Sequence, residues 1–295
     1  MSAITTAPAV HAVHRGEAQL GEGAVWVASE DALYWVDIHG RRILAYSPAD
    51  GSTREWRCSL RISALAPCES GGFIAGSERG FLRLEGLPGD CRVIGRPEPE
   101  LPGNRANDGK TDPFGHFWLG TMDDAEEARS GSLYRLDADL RWHRLAGGYM
   151  VPNGPAFSPD GAWLYHTDSA DRTIYRLSLS PGGLIGPREV LARFDASHGY
   201  PDGMTTDREG HLWVAFWDGW CLRRLSPDGE QVGQIDLPVQ RPTSCAFGGP
   251  QLDRLYVTSA RVGLSLEALA AQPEAGSLFA CTVDVPGLAP TLFPI

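Results

Sequence analysis

The chain has 295 residues, 42% of them hydrophobic and 21% charged, enough to bury a sizeable core. A net charge of −11 and a pI near 5.2 argue against nucleic-acid binding, which needs a basic footprint. No apolar run approaches the ~20 residues of a membrane helix, residues 1–16 carry no apolar leader, and the six Cys form no C-x-x-C pair; the expectation is a cytoplasmic protein with free, mostly buried thiols and neither a nucleic-acid nor a membrane partner.

In chain order, residues 10–14 (Val-His-Ala-Val-His) read as a first short strand. Six apolar or aromatic strand centres follow at Tyr34, Ile74, Trp118, Tyr165, Trp213 and Tyr256, spaced 40, 44, 47, 48 and 43 residues apart. Turn-forming segments precede several of them: Asp112-Pro113-Phe114-Gly115, Ser158-Pro159-Asp160-Gly161 and Asp207-Arg208-Glu209-Gly210. A further alternating strand comes after, as in residues 43–46, 132–136, 173–177 and 221–225. The one helix candidate covers residues 265–271. A period in the forties with several short strands per unit predicts an all-β fold, a six-bladed β-propeller with four-stranded antiparallel blades. It forms one domain over residues 1–295, with residues 10–14 pairing with the last blade to close the ring.

Glu22, Asn107, Asn153 and Asp202 recur 11 or 12 residues ahead of their strand centres, each closely followed by Gly. Equivalent positions in a ring of repeats converge on its axis, where two carboxylates and two amides make an oxygen site for a divalent cation. Singly, each residue reads as a turn former; four in register outweigh that reading. The second and sixth units carry Ile62-Ser63 and Thr243-Ser244 at the matching place, so the polar set is lopsided. No Gly-x-Ser-x-Gly elbow occurs. Residues 103–111 resemble a phosphate-binding loop but hold one residue too many between their glycines, and a strand follows. His166 is a candidate for the channel mouth, and Trp217 and Trp220 for a pocket wall.

Together, Leu20-Gly21-Glu22-Gly23, the run from Arg105 to Asp112 (Arg-Ala-Asn-Asp-Gly-Lys-Thr-Asp), Gly120-Thr121-Met122, Gly131-Ser132-Leu133-Tyr134, the run from Asn153 to Gly161 and Pro201-Asp202-Gly203-Met204 resemble the senescence marker protein 30, gluconolactonase and luciferin-regenerating-enzyme family over nearly the whole chain. Phe247-Gly248-Gly249-Pro250 and Thr258-Ser259-Ala260-Arg261 look most like bacterial sugar lactonases of the xylonolactonase or arabinonolactonase type. The resemblance implies hydrolysis of a sugar aldonolactone with one divalent metal ion (Ca²⁺, Zn²⁺, Mn²⁺, Mg²⁺ or Fe²⁺) in the central channel. It assigns Glu22, Asn153 and Asp202 as metal ligands, Asp202 also as general acid/base, and Arg105, Asn107 and Asp124 as substrate-binding residues. The family's usual aromatic residue between Arg and Asn is Ala106 here, implying a wider pocket. A monomer or weak homodimer is expected. Two other readings stand beside this one: a phosphotriesterase or aryl-ester hydrolase propeller, for which His166 and His198 are the channel candidates, and a non-catalytic regulatory propeller that holds a structural cation.

Overall fold

The computed structural model describes residues 9–295; the first half of the 1–16 leader reading lies outside the described residues. Twenty-four strands among the described residues form six four-stranded antiparallel sheets, the blades of a six-bladed propeller. Blade I covers residues 21–57, blade II 62–95, blade III 104–149, blade IV 152–193 and blade V 200–236. Blade VI joins three strands within 242–282 to the N-terminal strand His11–His14, which pairs with Leu278–Thr282 as its outermost member. The ring therefore closes as the spacing predicts. No helix of the described residues is long and apolar enough to cross a membrane. The α-helix Leu266–Ala271 stands where expected, its first turn capped by Ser265, whose Oγ accepts from Ala268 N at 3.1 Å.

The six strand centres all fall on the second strand of their blade and are buried. Each large apolar side chain so buried contributes ~1.5–3 kcal/mol to stability. Their neighbours alternate between the two faces of the blade, so every sheet packs against the next. The turns ahead of the anchors are held from inside. Asp112 is fully buried and accepts from Phe114 N, His116 N and the Trp118 indole at 2.8–2.9 Å. Asp207 repeats the pattern on Glu209 N, His211 N and the Trp213 indole at 3.0–3.1 Å. One carboxylate thus ties a turn to the aromatic that follows it, the physical reason Asp, Gly and Trp keep their spacing. All six Cys are free, four of them buried. Residues 103–111 run largely within the strand Asn104–Thr111, so the phosphate-loop look-alike is a strand.

The innermost strands surround a central channel. Each carries a bulge at the same level, where one extra residue stands against its neighbour: after Glu22, Ile62, Ala106, Asn153, Pro201 and Pro242. A bulge kinks its strand and re-aims a side chain. Gly23 and Gly154 supply the left-handed φ this needs, +59° and +77°. Gly203 serves differently: a Cβ there would stand 2.8 Å from Thr243 O, so only Gly lets blades V and VI approach.

At the other end of the channel the C-terminal segment crosses the opening. Pro286 and Gly287 accept from Arg208 of blade V, and Phe293 bonds to Pro67 and Glu69 of blade II. Residues 288–291 then cover a small cavity of about 90 Å³ lined by residues from all six innermost strands.

Candidate functional site

The bulges bring Glu22, Asn107, Asn153 and Asp202 into one cavity of about 600 Å³, and Arg105 and Asp124 line it too. The two silent blades place Ser63 and Thr243-Ser244 at the matching bulges, hydroxyls where the others have carboxylates and amides. Ser63 Oγ is buried without a hydrogen-bond partner, and Thr243 Oγ1 donates across the seam to Gly21 O and bonds to the Thr258 hydroxyl of its own blade.

A directional chain of hydrogen bonds sets the two amides. Arg105 Nη1 donates to Asn107 Oδ1 at 2.8 Å. That leaves Asn107 Nδ2 to donate to Asn153 Oδ1 at 2.8 Å and Pro152 O at 3.0 Å. Asn153 Nδ2 in turn donates to Ser169 Oγ at 3.0 Å, and the Ser169 hydroxyl to Pro201 O at 2.7 Å. A guanidinium has only donors, so the order of the whole chain follows from Arg105. Arg105 itself is held by Asp124, Nε to Oδ1 at 2.7 Å. Asp124 also takes Arg61 at 2.9 Å; although burial works to raise its pKa, the two guanidiniums hold it below the ordinary carboxylate range.

The carboxylates are under electrostatic pressure. Burial pushes the Glu22 pKa well up, and the charges of Asp202 and Asp108 push further, against the Gly23 N–H that donates to Oε2 at 3.1 Å. Asp202 is raised by burial and then by Asp108. Asp108, noticed in the sequence only as a neighbour of Asn107, is pushed by burial to about 6, with Lys110 opposing. Lys110 is itself lowered by burial; its Nζ donates to Met204 O at 2.7 Å. Asp202 Oδ1 is buried with no hydrogen-bond partner among the described residues. Glu22, Asp108 and Asp202 crowd carboxylates together, and an orphaned carboxylate oxygen among them calls for a cation. The donor set fits a divalent one: Glu22, Asp202 and the Asn153 amide oxygen are hard oxygen ligands. Among the described residues no three His, Cys, Asp or Glu side chains form a metal-binding group by themselves, so Asn153 is needed to complete the set.

Other expectations fare differently. Ala106 does not widen the cavity. Strand alternation turns it away from Arg105 and Asn107 into the seam between blades II and III, among Ala64, Phe81 and Leu119. His166 is in the core, its pKa lowered to about 4 by burial and its ring bonded to Tyr149. His198 pairs with Asp195 at 2.8 Å on an exposed loop and does not line the cavity. Trp217 lines it and Trp220 does not. The wall also includes His39, Glu126, Arg172, Tyr200, Asp218 and Arg241, which sequence reasoning missed. Most of these stand on connections between strands, where no repeat offset marks them.

Comparison with known proteins adds the relatives. Residues 20–261 match the SMP-30/Gluconolactonase/LRE-like region. The chain is 41% identical to a 6-deoxy-6-sulfogluconolactonase of Pseudomonas putida, covering 95% of this chain and 97% of that one. It is 39% identical to an L-arabinolactonase of Azospirillum brasilense, covering 93% and 92%. Among solved structures, the calcium-binding protein regucalcin of Agrobacterium tumefaciens superposes with a TM-score of 0.93 at 29% identity, covering 98% of each chain. With this fold, this match and these relatives, the chain belongs to the SMP-30/gluconolactonase/LRE family.

Proposed function

We propose that the protein is a divalent-metal-dependent lactonase that hydrolyses a sugar aldonolactone to the aldonic acid. Glu22, Asn153 and Asp202 hold the cation, and Arg105 and Asn107 bind the substrate's carbonyl and hydroxyl oxygens. Asp124, with both oxygens engaged by Arg61 and Arg105, serves binding by fixing Arg105. The observation that carries this reading is the orphaned Asp202 Oδ1, buried beside Glu22 and the Arg105–Asn107–Asn153 chain in one cavity. Curated relatives at about 40% identity named as sugar lactonases support the same substrate class, one of them named for a sulfonated gluconolactone.

When bound, a divalent cation would supply Lewis-acid polarisation of the lactone carbonyl and neutralise Glu22 and Asp202. Water adds to the carbonyl carbon, and Asp202 takes the proton it releases. The ring C–O bond then breaks, and Asp202 returns that proton to the departing ring oxygen. The product is the open-chain hydroxy acid. Arg105 and Asn107 orient the carbonyl for attack through contacts that are already ordered before substrate arrives.

The test is a pH-drop assay on xylono-, arabinono-, galactono- and gluconolactone, with chelated protein as the control. Activity should vanish on chelation and return with one of Ca²⁺, Zn²⁺, Mn²⁺, Mg²⁺ or Fe²⁺. Asp202→Asn should lower turnover by ~10²–10⁴-fold while weakening metal binding much less. Metal-loaded protein that hydrolyses no sugar lactone would refute the reading; if chelation then lowered only the melting temperature, the cation would be structural.

A further inference from the structure

Three guanidinium groups line the cavity, and they differ in what they meet. Arg105 pairs with Asp124, and Arg241 pairs with Asp218, each at 2.7 Å. Arg172 has no such partner. Its Nε is buried with no hydrogen-bond acceptor, and it forms no ion pair among the described residues. Its acidic neighbours in sequence, Asp168 and Asp171, are both engaged by Arg129. The guanidinium lies against the face of Tyr200, 4.0 Å from the ring centroid, and Tyr200 lines the same cavity. The backbone is anchored on both sides: Arg172 N donates to Ser169 O and Arg172 O accepts from Phe194 N, each at 2.9 Å. The cation is therefore positioned by stacking and by its chain, and its hydrogen bonds are unspent.

The carboxylates of the wall do not supply the missing acceptor. Glu22 and Asp202 belong to the cation site, and Asp124 and Asp218 are paired. Glu126 stands on the connection between the second and third strands of blade III, with Arg105 as a charge neighbour. A guanidinium presents five N–H groups in a planar fork. A ring face accepts none of them well, and a sugar hydroxyl offers a single acceptor atom. An oxyanion with two or three oxygens accepts two parallel N–H bonds at once and brings the missing charge. We propose that Arg172, backed by Tyr200, is the binding site for a negatively charged substituent, a sulfonate, phosphate or carboxylate, carried by the lactone away from its carbonyl. This rests on the lactonase reading for the word lactone; the anion site itself does not.

Two measurements separate these claims. In the first, calorimetry compares methyl 6-deoxy-6-sulfoglucoside with methyl glucoside, neither of which can be hydrolysed as a lactone. The native protein should bind the sulfonated sugar at least tenfold more tightly. Arg172→Met should erase that ratio, and Arg172→Lys should keep part of it. The preference should also shrink as salt is raised. In the second, kcat/KM is compared for gluconolactone with and without a 6-sulfonate or 6-phosphate. The charged lactone should be favoured at least tenfold, mainly through KM, and the ratio should collapse in Arg172→Met. Circular dichroism and melting of each variant confirm that it is folded. Equal affinity of the native protein for the two glucosides, or an unchanged ratio in Arg172→Met, overturns the anion site. Tight sulfonate binding without hydrolysis of any lactone would leave the anion site standing and sink the lactonase reading alone.

Discussion

Arg105 decides which way two amides face, and Ser169 finishes what it starts. With Asn153 Nδ2 committed to Ser169 at 3.0 Å, its Oδ1 is the atom left for the cavity. Replacing Ser169 by Ala removes that commitment without touching a proposed ligand. Outer partners of ligands are typically worth 10–100-fold in metal affinity, so Ser169→Ala should weaken cation binding by about tenfold in a competition titration; unchanged affinity would show that Ser169 does not orient the amide. Nothing in the sequence marked Ser169, because it acts from a 3-10 turn after the second strand of blade IV rather than from the repeat. Charge offers a second test. Carboxylates titrate near ~4 in an unfolded chain. Glu22, Asp108 and Asp202 titrate higher in the fold, so the folded protein binds more protons than the unfolded one and loses stability as pH rises. For Asp108 the loss runs from ~4 up to about 6, and the raised Glu22 and Asp202 add to it in the same direction. Chelated protein should therefore melt lower at pH 8 than at pH 5, and added cation should raise the melting temperature more at pH 8. An equal gain at both values would remove these carboxylates from the account.

The bulged innermost strand is the element that turns a repeat into a site. Its consequence was legible as four polar residues in register, each closely followed by Gly; its geometry was not, since the same pairs serve as ordinary turns. Two of the glycines are needed for φ: Gly23 and Gly154 sit at +59° and +77°. Gly154→Ala should cost ~1–3 kcal/mol from left-handed backbone alone, read by denaturant unfolding. It should also weaken cation binding, because the neighbouring Asn153 would be re-aimed. A neutral effect on both would mean that the bulge tolerates a side chain. Ala106 shows the limit of motif comparison. A substitution inside a family motif suggested a change in the pocket, yet strand alternation points that position between blades.

The ring was readable at the scale of the whole chain: strand centres at 40–48-residue intervals, and an N-terminal strand with a place waiting for it. Cutting the chain after His14 would expose the edge of Leu278–Thr282 to solvent and to other copies. That variant should melt several degrees lower and elute partly as aggregate in size-exclusion chromatography; native melting would mean that closure does not need the strand. The C-terminal crossing was invisible in the sequence, because an irregular Pro-containing tail has no period to announce it. Residues 288–291 cover the small cavity at the end of the channel away from Glu22, Asn153 and Asp202. On the proposed reading, lactone and the acid made from it share the cavity lined by Glu22, Arg105, Asn153 and Asp202. Aldonate should accordingly compete with lactone for that cavity, and accumulating product should slow the enzyme as a competitive inhibitor.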